Sequence, residues 1–248
     1  MGNASYWKTR RTIRKYDNSR SVSDELLCDL MEKAMQAPTT GNMQLYSVVV
    51  TRDNEKLADL ATEHFNQPAS TGADVLLTFC ADFNRFTKWC DARNAKHGFG
   101  NLQSLMSAVL DTTIVAQQFT TLAEMAGLGV CYLGTTTYNA PGIATKLGLP
   151  KMVVPVVTLA VGYPAEDGEV SDRLPLDGVM HYETYKDYSA EDIDRIYAPK
   201  EAREDSKRFV AENGKETLAQ VFTDVRYPER NNVAFSEVLS GFLKSAGF

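Results

Sequence analysis

The chain has 248 residues, of which 32 are acidic and 26 basic, and its formal net charge is −6. This length and a hydrophobic content of 44% are typical of a globular protein with a sizeable core and exclude a disordered chain. The acidic balance argues against nucleic acid or an anionic membrane as the main partner. Three scattered histidines and four cysteines without a CxxC pair argue against a metal site and favour free thiols in a reducing cytoplasm.

The first third of the chain alternates helical and strand patterns. Ser23 precedes leucines at helical spacing, so it predicts an N-cap and a helix. Pro38 and Gly41 then predict a turn, because proline stops a helix and glycine permits positive φ. The elements expected here are a helix over 23–37, a turn over 38–42, a strand over 46–51, a helix over 54–64 and a buried strand over 75–80.

Residues 101–126 carry the longest helical pattern, and neither Gly nor Pro interrupts them. A helix of this length would extend about 39 Å at the standard rise. Its apolar residues occupy more than one face, which is typical of a helix at the centre of a large domain or at a subunit interface.

The last part of the chain contains two further strands and then a highly charged region. We expect a strand over 130–137, a short helix over 140–147, a buried strand over 153–161 and a closing amphipathic helix over 231–246. Residues 186–230 hold few large apolar side chains and predict surface helices or an extended arm. Strands and helices therefore intermix, in an α/β or α+β fold.

Familiar catalytic and nucleotide-binding motifs are absent from the sequence. It has no G-x-G-x-x-G, Walker A loop, G-x-S-x-G elbow or H-E-x-x-H. If the chain is an enzyme, its reactive group is therefore expected to be a bound organic cofactor and not a side chain.

Four short segments contain residues that could bind a ligand. The run of arginines at 10–14 could hold a phosphate, since guanidinium groups match phosphate oxygens. Hydroxyls and amides in 37–44, a glycine in 131–136, and the turn at 162–165 followed by Arg173 could each contact a polar ligand. Taken singly, the arginine run is better explained as surface charge and the 37–44 segment as an ordinary turn, and the other two segments are weak signals.

In this order and spacing, the segments resemble the nitroreductase family of FMN-dependent oxidoreductases. The resemblance is greatest to the branch of NADPH-preferring oxygen-insensitive nitroreductases and related flavin reductases. It extends from residue 9 to residue 185. Its motifs are R-R-T-I-R, A-P-T-T-G-N-M-Q, A-D-F-N-R, G-L-G-V-C-Y-L-G and L-G-L-P…G-Y-P-A…R-L-P-L…H-Y-E-T-Y.

The resemblance implies an α+β fold in which helices wrap a central mixed β-sheet. It also implies an intertwined homodimer with two FMN sites at the subunit interface. Residues 1–248 would form one FMN-binding domain, from which 186–230 would extend as a charged arm over the partner subunit.

By motif position, residues near the N-terminus would hold the phosphate and ribityl chain of FMN. These are Arg10, Arg11 and Thr12, with Arg173 joining them at the phosphate. Ser171 stands where the family often has a lysine, so FMN affinity would fall unless Arg10 replaces the missing cation.

Other positions would contact the ring system of FMN. Arg14 would lie at the N1/O2 edge, where a cation stabilises the anionic reduced flavin. Gln67 would bond the pyrimidine ring, and Thr39 and Gly41 would contact the flavin across the dimer. The residues expected to line the isoalloxazine are Tyr132, Leu133 and Gly134, with the Gly134 N–H directed at N5.

The function implied is hydride transfer from NAD(P)H through FMN to nitroaromatics, quinones or flavins by a ping-pong cycle in the cytoplasm. NADPH would be favoured over NADH, although the basic residues that could bind its 2′-phosphate are better interpreted as solvated surface. They are Arg203, Lys207, Arg208, Arg226 and Arg230. Two alternatives are a dehydrogenation or reductive dehalogenation on the same fold, and a nonenzymatic flavin-binding protein. No metal is expected.

Overall fold

A computed structural model describes residues 6–248, which divide into two compact units. Of the described residues, the first unit contains 6–169 with Phe235–Phe248, and the second contains Val170–Ala234. No helix of the described part is long and apolar enough to cross a membrane.

The four helices predicted in the first part of the chain are present and begin and end within three residues of the expected positions, whereas α1, α4 and α5 were not predicted. Ser23 caps its helix as predicted, by accepting a hydrogen bond from the Leu26 N–H. Asn101 likewise caps the long central helix. The helices are α1 (Tyr6–Thr9), α2 (Asp24–Ala34), α3 (Asn54–Glu63), α4 (Pro68–Thr71), α5 (Asn84–Asp91), α6 (Leu102–Met125) and α7 (Ala140–Lys146).

Four described strands form one sheet in the order β1-β2-β4-β3, and every pairing is antiparallel. The α+β class is confirmed, but these strands do not show the mixed pairing that the resemblance implied. Strand direction has no local sequence signature, so the motifs could not reveal it. The strands are β1 (Tyr46–Thr51), β2 (Val75–Asp82), β3 (Gly129–Leu133) and β4 (Val153–Gly162).

The two faces of the sheet pack against different layers. On one face, α2 and α6 cover side chains such as Phe79, Val130 and Leu159. On the other face, α3, α7 and the extended segment after α1 cover side chains such as Leu76 and Leu133. Successive residues of a strand point to opposite faces, so β3 contributes to both layers.

The second unit contains short helices with few buried side chains. Ser189 and Thr217 each form a reciprocal capping box, which satisfies N–H groups at the start of α8 and α10. Ile196, Leu218 and Val221 are buried. The helices are α8 (Ala190–Glu201), α9 (Glu204–Glu212) and α10 (Leu218–Gln220), which continues as a π-helix over Val221–Arg226; the chain then enters α11 (Glu229–Ala246).

Candidate functional site

The arginine-containing segment after α1 lies along the edge strand β3 and the end of β4. The Ile13 N–H donates to the Val130 carbonyl at 3.3 Å, and the Asp17 N–H donates to the Tyr163 carbonyl at 2.8 Å. The hydroxyl oxygen of the buried Tyr16 lies 3.0 Å from the carbonyl oxygens of both Ile13 and Ala160, which share its single proton. These bonds fix the backbone from which the neighbouring arginines project.

Two glycines let this segment approach the sheet closely. Gly129 on β3 and Gly162 on β4 are direct cross-strand partners. A Cβ at Gly129 would lie 2.6 Å from Ile13 Cγ2, and one at Gly162 would lie 2.9 Å from Tyr16 Cδ1. Real Cβ atoms do not approach neighbours so closely, so the glycine pair is required for this packing.

Arg10 is paired with a carboxylate of its own chain. Its Nε and Nη2 atoms lie 3.2 Å from Oε2 and Oε1 of Glu124 at the end of α6. The Tyr6 hydroxyl donates to the same carboxylate at 2.6 Å. Burial and this hydrogen bond raise the pKa of Tyr6 to about 12. Because Glu124 offsets the charge of Arg10, the expectation that Arg10 replaces the cation missing at Ser171 loses support.

A cleft of about 200 Å³ lies beside this ion pair. Arg11 lines the cleft, and its guanidinium Nη1 donates to the Thr9 carbonyl at 3.3 Å. The other lining residues are Tyr6, Thr9, Arg10, Ile13, Glu124, Gly127, Leu128 and Pro164. A larger cavity of about 570 Å³ lies at Arg52 and Asp74 and shares no residue with the predicted site, so size alone does not locate the site.

The exposed Arg14 side chain lies beside β3. Its backbone N–H donates to Glu166 Oε1 at 2.9 Å, and the Lys15 N–H donates to the same oxygen at 3.2 Å. Burial raises the pKa of the Cys131 thiol, and the nearby positive charges of Arg14 and Arg10 oppose this shift. The guanidinium of Arg14 is therefore close to Cys131, three residues before Gly134.

Gly134 begins a 3-10 turn over Gly134–Thr136, so the predicted continuation of the strand to residue 137 is wrong. A Cβ at Gly134 would meet no heavy atom within 4 Å. The space beside its backbone is therefore open to a ligand.

The residues before Gly134 point their side chains to opposite faces of the sheet. Leu133 is buried, so only its backbone could meet a ligand. The Tyr132 hydroxyl instead donates to Gln117 Oε1 on α6 at 3.2 Å.

The side chain of His64, directly after α3, and the backbone of β4 hold the Gly134 turn in place. The Thr136 hydroxyl donates to the Leu133 carbonyl at 2.8 Å and accepts from the Thr158 N–H at 2.9 Å. Nδ1 of the buried His64 lies 2.8 Å from Thr135 Oγ1. Burial lowers the pKa of His64 to about 4, so this imidazole is neutral at pH 7. No sequence motif indicated a role for His64, because the helical pattern placed it only at the end of a helix.

Gln67 lies near the turn of α3 and α4, where its backbone N–H donates to the His64 carbonyl at 3.2 Å. It occupies the N-cap position of α4, but its side chain makes no capping hydrogen bond there. The half-buried side chain is therefore not committed to its own helix.

The loop containing Thr39 and Gly41 is held by a buried carboxylate of the central helix. Asp111 Oδ1 accepts from the N–H and hydroxyl of Thr40 at 2.7 and 2.8 Å, and Oδ2 accepts from the Leu45 N–H at 3.2 Å. Sequence interpretation missed Asp111, although it is the one charged residue between positions 101 and 123.

This loop also contains unusual backbone and an unpaired hydroxyl. Gly41, Asn42 and Gln44 all have positive φ, between 53° and 56°. Thr39 Oγ1 is buried and has no hydrogen-bond partner in the described part of the chain. Strained backbone and unpaired polar atoms of this kind concentrate at ligand sites.

The predicted site residues of the first unit thus form two groups. Arg10 contacts α6 at Glu124, whereas the Thr39 loop contacts α6 at Asp111. These contacts are 13 residues apart on one helix, or about 20 Å along its axis. Within one chain the structure therefore does not bring Thr39 and Gly41 to the arginines.

Ser171 and Arg173 belong to the second unit. Both are exposed, and the Arg173 guanidinium donates to the carbonyls of Asp172 and Ser171 at 2.7 and 3.3 Å. The basic residues considered for NADPH largely have local partners. Arg203 pairs with Asp205, Lys207 with Glu204 and Arg208 with Glu212, while Arg226 stacks over Phe209.

Comparisons with known proteins agree with this fold and these motifs. An FMN reductase [NAD(P)H] of Bacillus subtilis is 34% identical over 177 residues, which cover 71% of each chain. The solved structure of a Bacteroides fragilis protein matches with 55% identity and a TM-score of 0.96, covering 98% of both chains. A Bacillus subtilis nitroreductase structure matches with 25% identity and a TM-score of 0.86, covering 100% of this chain and 99% of that one. The sequence model of the nitroreductase family matches residues 7–163, and the chain therefore belongs to the nitroreductase family of oxidoreductases.

Proposed function

We propose that this protein is an NAD(P)H-dependent FMN oxidoreductase that reduces nitroaromatics, quinones or flavins by a ping-pong mechanism. The observation that carries the proposal is the N-terminal arginine segment that lies along β3, the strand that leads into the open backbone at Gly134. Membership of the nitroreductase family and the FMN reductase relative add to this support.

The residues present fit FMN in three respects. Arg11 lines a cleft of about 200 Å³, and its guanidinium suits a phosphate. The open space at Gly134 admits a flat ring against the backbone. Thr39 Oγ1 is buried and has no hydrogen-bond partner in the described part of the chain, so it can donate to or accept from a polar ligand. Arg10, Thr12 and Arg173 would assist at the phosphate and ribityl chain, and Ser171 would contribute no charge.

Bound FMN would supply the redox chemistry, by accepting a hydride from NAD(P)H and passing electrons to the second substrate. The chain itself would bind and orient the cofactor. Arg14 would hold positive charge at the N1/O2 edge, where it stabilises negative charge that develops on reduction. The Gly134 N–H would face N5, and Gln67 would bond the pyrimidine ring. Tyr132 and Leu133 would border the ring through their backbone.

We further propose that the protein is a cytoplasmic homodimer in which residues 1–248 act as one functional domain. Exposed apolar side chains follow each other at four-residue spacing along α6, at Leu102, Met106, Leu110 and Ile114. Such a stripe on the longest helix suits burial against a second copy. A second copy would also bring its Thr39 loop to the FMN site, from which the loop of the same chain is distant.

Absorbance spectroscopy tests the proposal directly. The purified protein, or the protein reconstituted with FMN, should show flavin absorbance that NADPH or NADH bleaches and that a nitroaromatic, quinone or free flavin restores. Steady-state rates with varied NADPH and acceptor should give the parallel double-reciprocal lines of a ping-pong cycle. Riboflavin, which lacks the phosphate, is the matched control ligand and should bind more weakly than FMN.

The alternatives give different results in the same assay. A nonenzymatic flavin protein would bind FMN without steady consumption of NADPH or NADH. A dehydrogenase or reductive dehalogenase would show its highest turnover with another class of substrate. Protein that remains colourless after incubation with FMN would exclude the proposed function.

A further inference from the structure

His64 is a fully buried histidine at the end of α3, with a single side-chain hydrogen bond among the described residues. Its Nδ1 lies 2.8 Å from Thr135 Oγ1, and its Nε2 has no hydrogen-bond partner in the described part of the chain. A buried N–H without an acceptor is rarer than an unpaired lone pair. The proton therefore belongs on Nδ1, which donates to Thr135.

Among the described residues, two hydrogen bonds join the end of α3 to the Gly134 turn, and the bond from His64 is one of them. The second is donated by Asn139 Nδ2 to the Glu63 carbonyl at 2.6 Å. The turn is closed by its own backbone, since the N–H groups of Tyr138 and Asn139 donate to the Thr135 carbonyl at 3.1 and 3.3 Å. Displacing Thr135 would therefore displace the whole turn.

His64 also contacts the other loop near the ring site. Its carbonyl accepts from the Gln67 N–H at 3.2 Å. One buried residue thus lies between two segments that are expected to meet the same ligand. Its side chain holds the segment with Gly134, and its backbone holds the segment with Gln67.

We propose that His64 is a positioning residue, which fixes the Gly134 N–H and the Gln67 amide relative to each other through its bond to Thr135. The proposal rests on the proposed function, because it concerns the groups that would contact the pyrimidine ring and N5 of FMN.

The test compares substitutions that keep or remove this polar atom. In His64→Asn, the side-chain amide can reach Thr135 as Nδ1 does, whereas His64→Leu fills the space without a donor. Thr135→Ser and Thr135→Val form the matching pair on the other side of the bond. The two readouts are amide hydrogen exchange in the FMN-free protein and the dissociation constant for FMN.

Loss of a buried hydrogen bond typically changes an equilibrium about tenfold. We expect His64→Leu and Thr135→Val to speed exchange at residues 133–138 by about that factor, with no change in α6, and to weaken FMN binding about tenfold. His64→Asn and Thr135→Ser should stay within about threefold of the wild type in both measurements.

Equal behaviour of the polar and apolar variants would overturn the proposal, as would faster exchange spread evenly over the first unit. If His64→Leu does not fold, the Thr135 pair decides the question alone. Failure of the proposed function would be distinct, because the wild type would then bind no FMN. In that case exchange in the FMN-free protein would still show whether the bond holds the turn.

Discussion

Asp111, a buried carboxylate in the middle of α6, accepts a hydrogen bond from the backbone N–H of Thr40 at 2.7 Å. The same carboxylate accepts from the Leu45 N–H at 3.2 Å, so its two oxygens span both ends of a loop with three residues at positive φ. The central helix therefore does more than fill the core, because it determines the shape of the Thr39 loop.

Replacing this carboxylate with an amide should destabilise the protein. In Asp111→Asn, the NH₂ group must face one of the two backbone donors, which leaves a buried donor unpaired. We expect a loss of about 2 kcal/mol in the free energy of unfolding, measured by urea denaturation. The control Asp29→Asn removes an exposed carboxylate paired with Lys33 and should change stability by less than about 0.5 kcal/mol. Equal effects of the two substitutions would show that Asp111 does not hold the loop.

Gly129 should not tolerate even alanine. The added Cβ would lie 2.6 Å from Ile13 Cγ2 and 2.7 Å from Ile13 Cβ, so a change of rotamer cannot relieve the contact. We expect Gly129→Ala to cost about 1–3 kcal/mol in urea denaturation, because the arginine segment must move off the sheet.

Gly241 in α11 is the matched control for Gly129. A Cβ there meets no heavy atom within 4 Å, so Gly241→Ala should stabilise the helix by about 0.5–1 kcal/mol. If both alanine variants were equally stable, the close packing of Ile13 on β3 would be disproved.

Replacing Arg14 or Lys15 with alanine removes one positive charge in each case and should leave the fold nearly unchanged. Both side chains are exposed, and both backbone N–H groups bond Glu166, a contact that alanine preserves. Arg14→Ala should slow the reduction of bound FMN by NADPH about tenfold in stopped-flow measurements, since a cation at the flavin is lost. Lys15→Ala should stay within about twofold, and neither should shift the free energy of unfolding by more than about 0.5 kcal/mol. A parallel loss of stability in Arg14→Ala would assign the arginine a structural role instead.

Elements with a strong local pattern could be predicted from sequence, and those defined by distant partners could not. The strand Tyr46–Thr51 is confirmed at both ends, and α6 begins and ends within one residue of the expected range. The strand predicted over 130–137 ends early at Leu133. β-branched residues at 135–137 favour a strand, but their hydroxyls bond His64 and the Leu133 carbonyl in a turn.

The arginine segment illustrates the same limit at the candidate site. Its motif predicted a phosphate cradle, and Arg11 does line a cleft. The partner of Arg10, however, is Glu124, which lies 114 positions away in the chain and has no motif of its own. A contact of this kind follows from tertiary packing, so only the structure could reveal it.

The proposed dimer should depend on the apolar stripe of α6. Leu110 is 56% exposed in the single chain, so Leu110→Glu should leave the isolated fold intact while placing a charge in the interface. We expect the mass measured by light scattering to halve relative to the wild type. Val50→Glu introduces the same charge at a residue that is 52% exposed on β1 and should leave the mass unchanged. A wild type that is already monomeric, or an unaffected Leu110→Glu variant, would rule out this interface.

The burial of neutral His64 should make stability depend on pH. The pKa of His64 is lowered to about 4 from 6.5, so between these values the unfolded chain binds a proton that the folded chain does not. Stability is therefore fully present above pH 6.5 and declines as the pH falls towards 4. His64→Asn lacks the titrating group but shares every other ionisable residue with the wild type. Relative to His64→Asn, the wild type should lose about 2 kcal/mol of unfolding free energy when the pH falls from 7.5 to 5. A difference that stays constant over this range would mean that folding does not lower the pKa of His64.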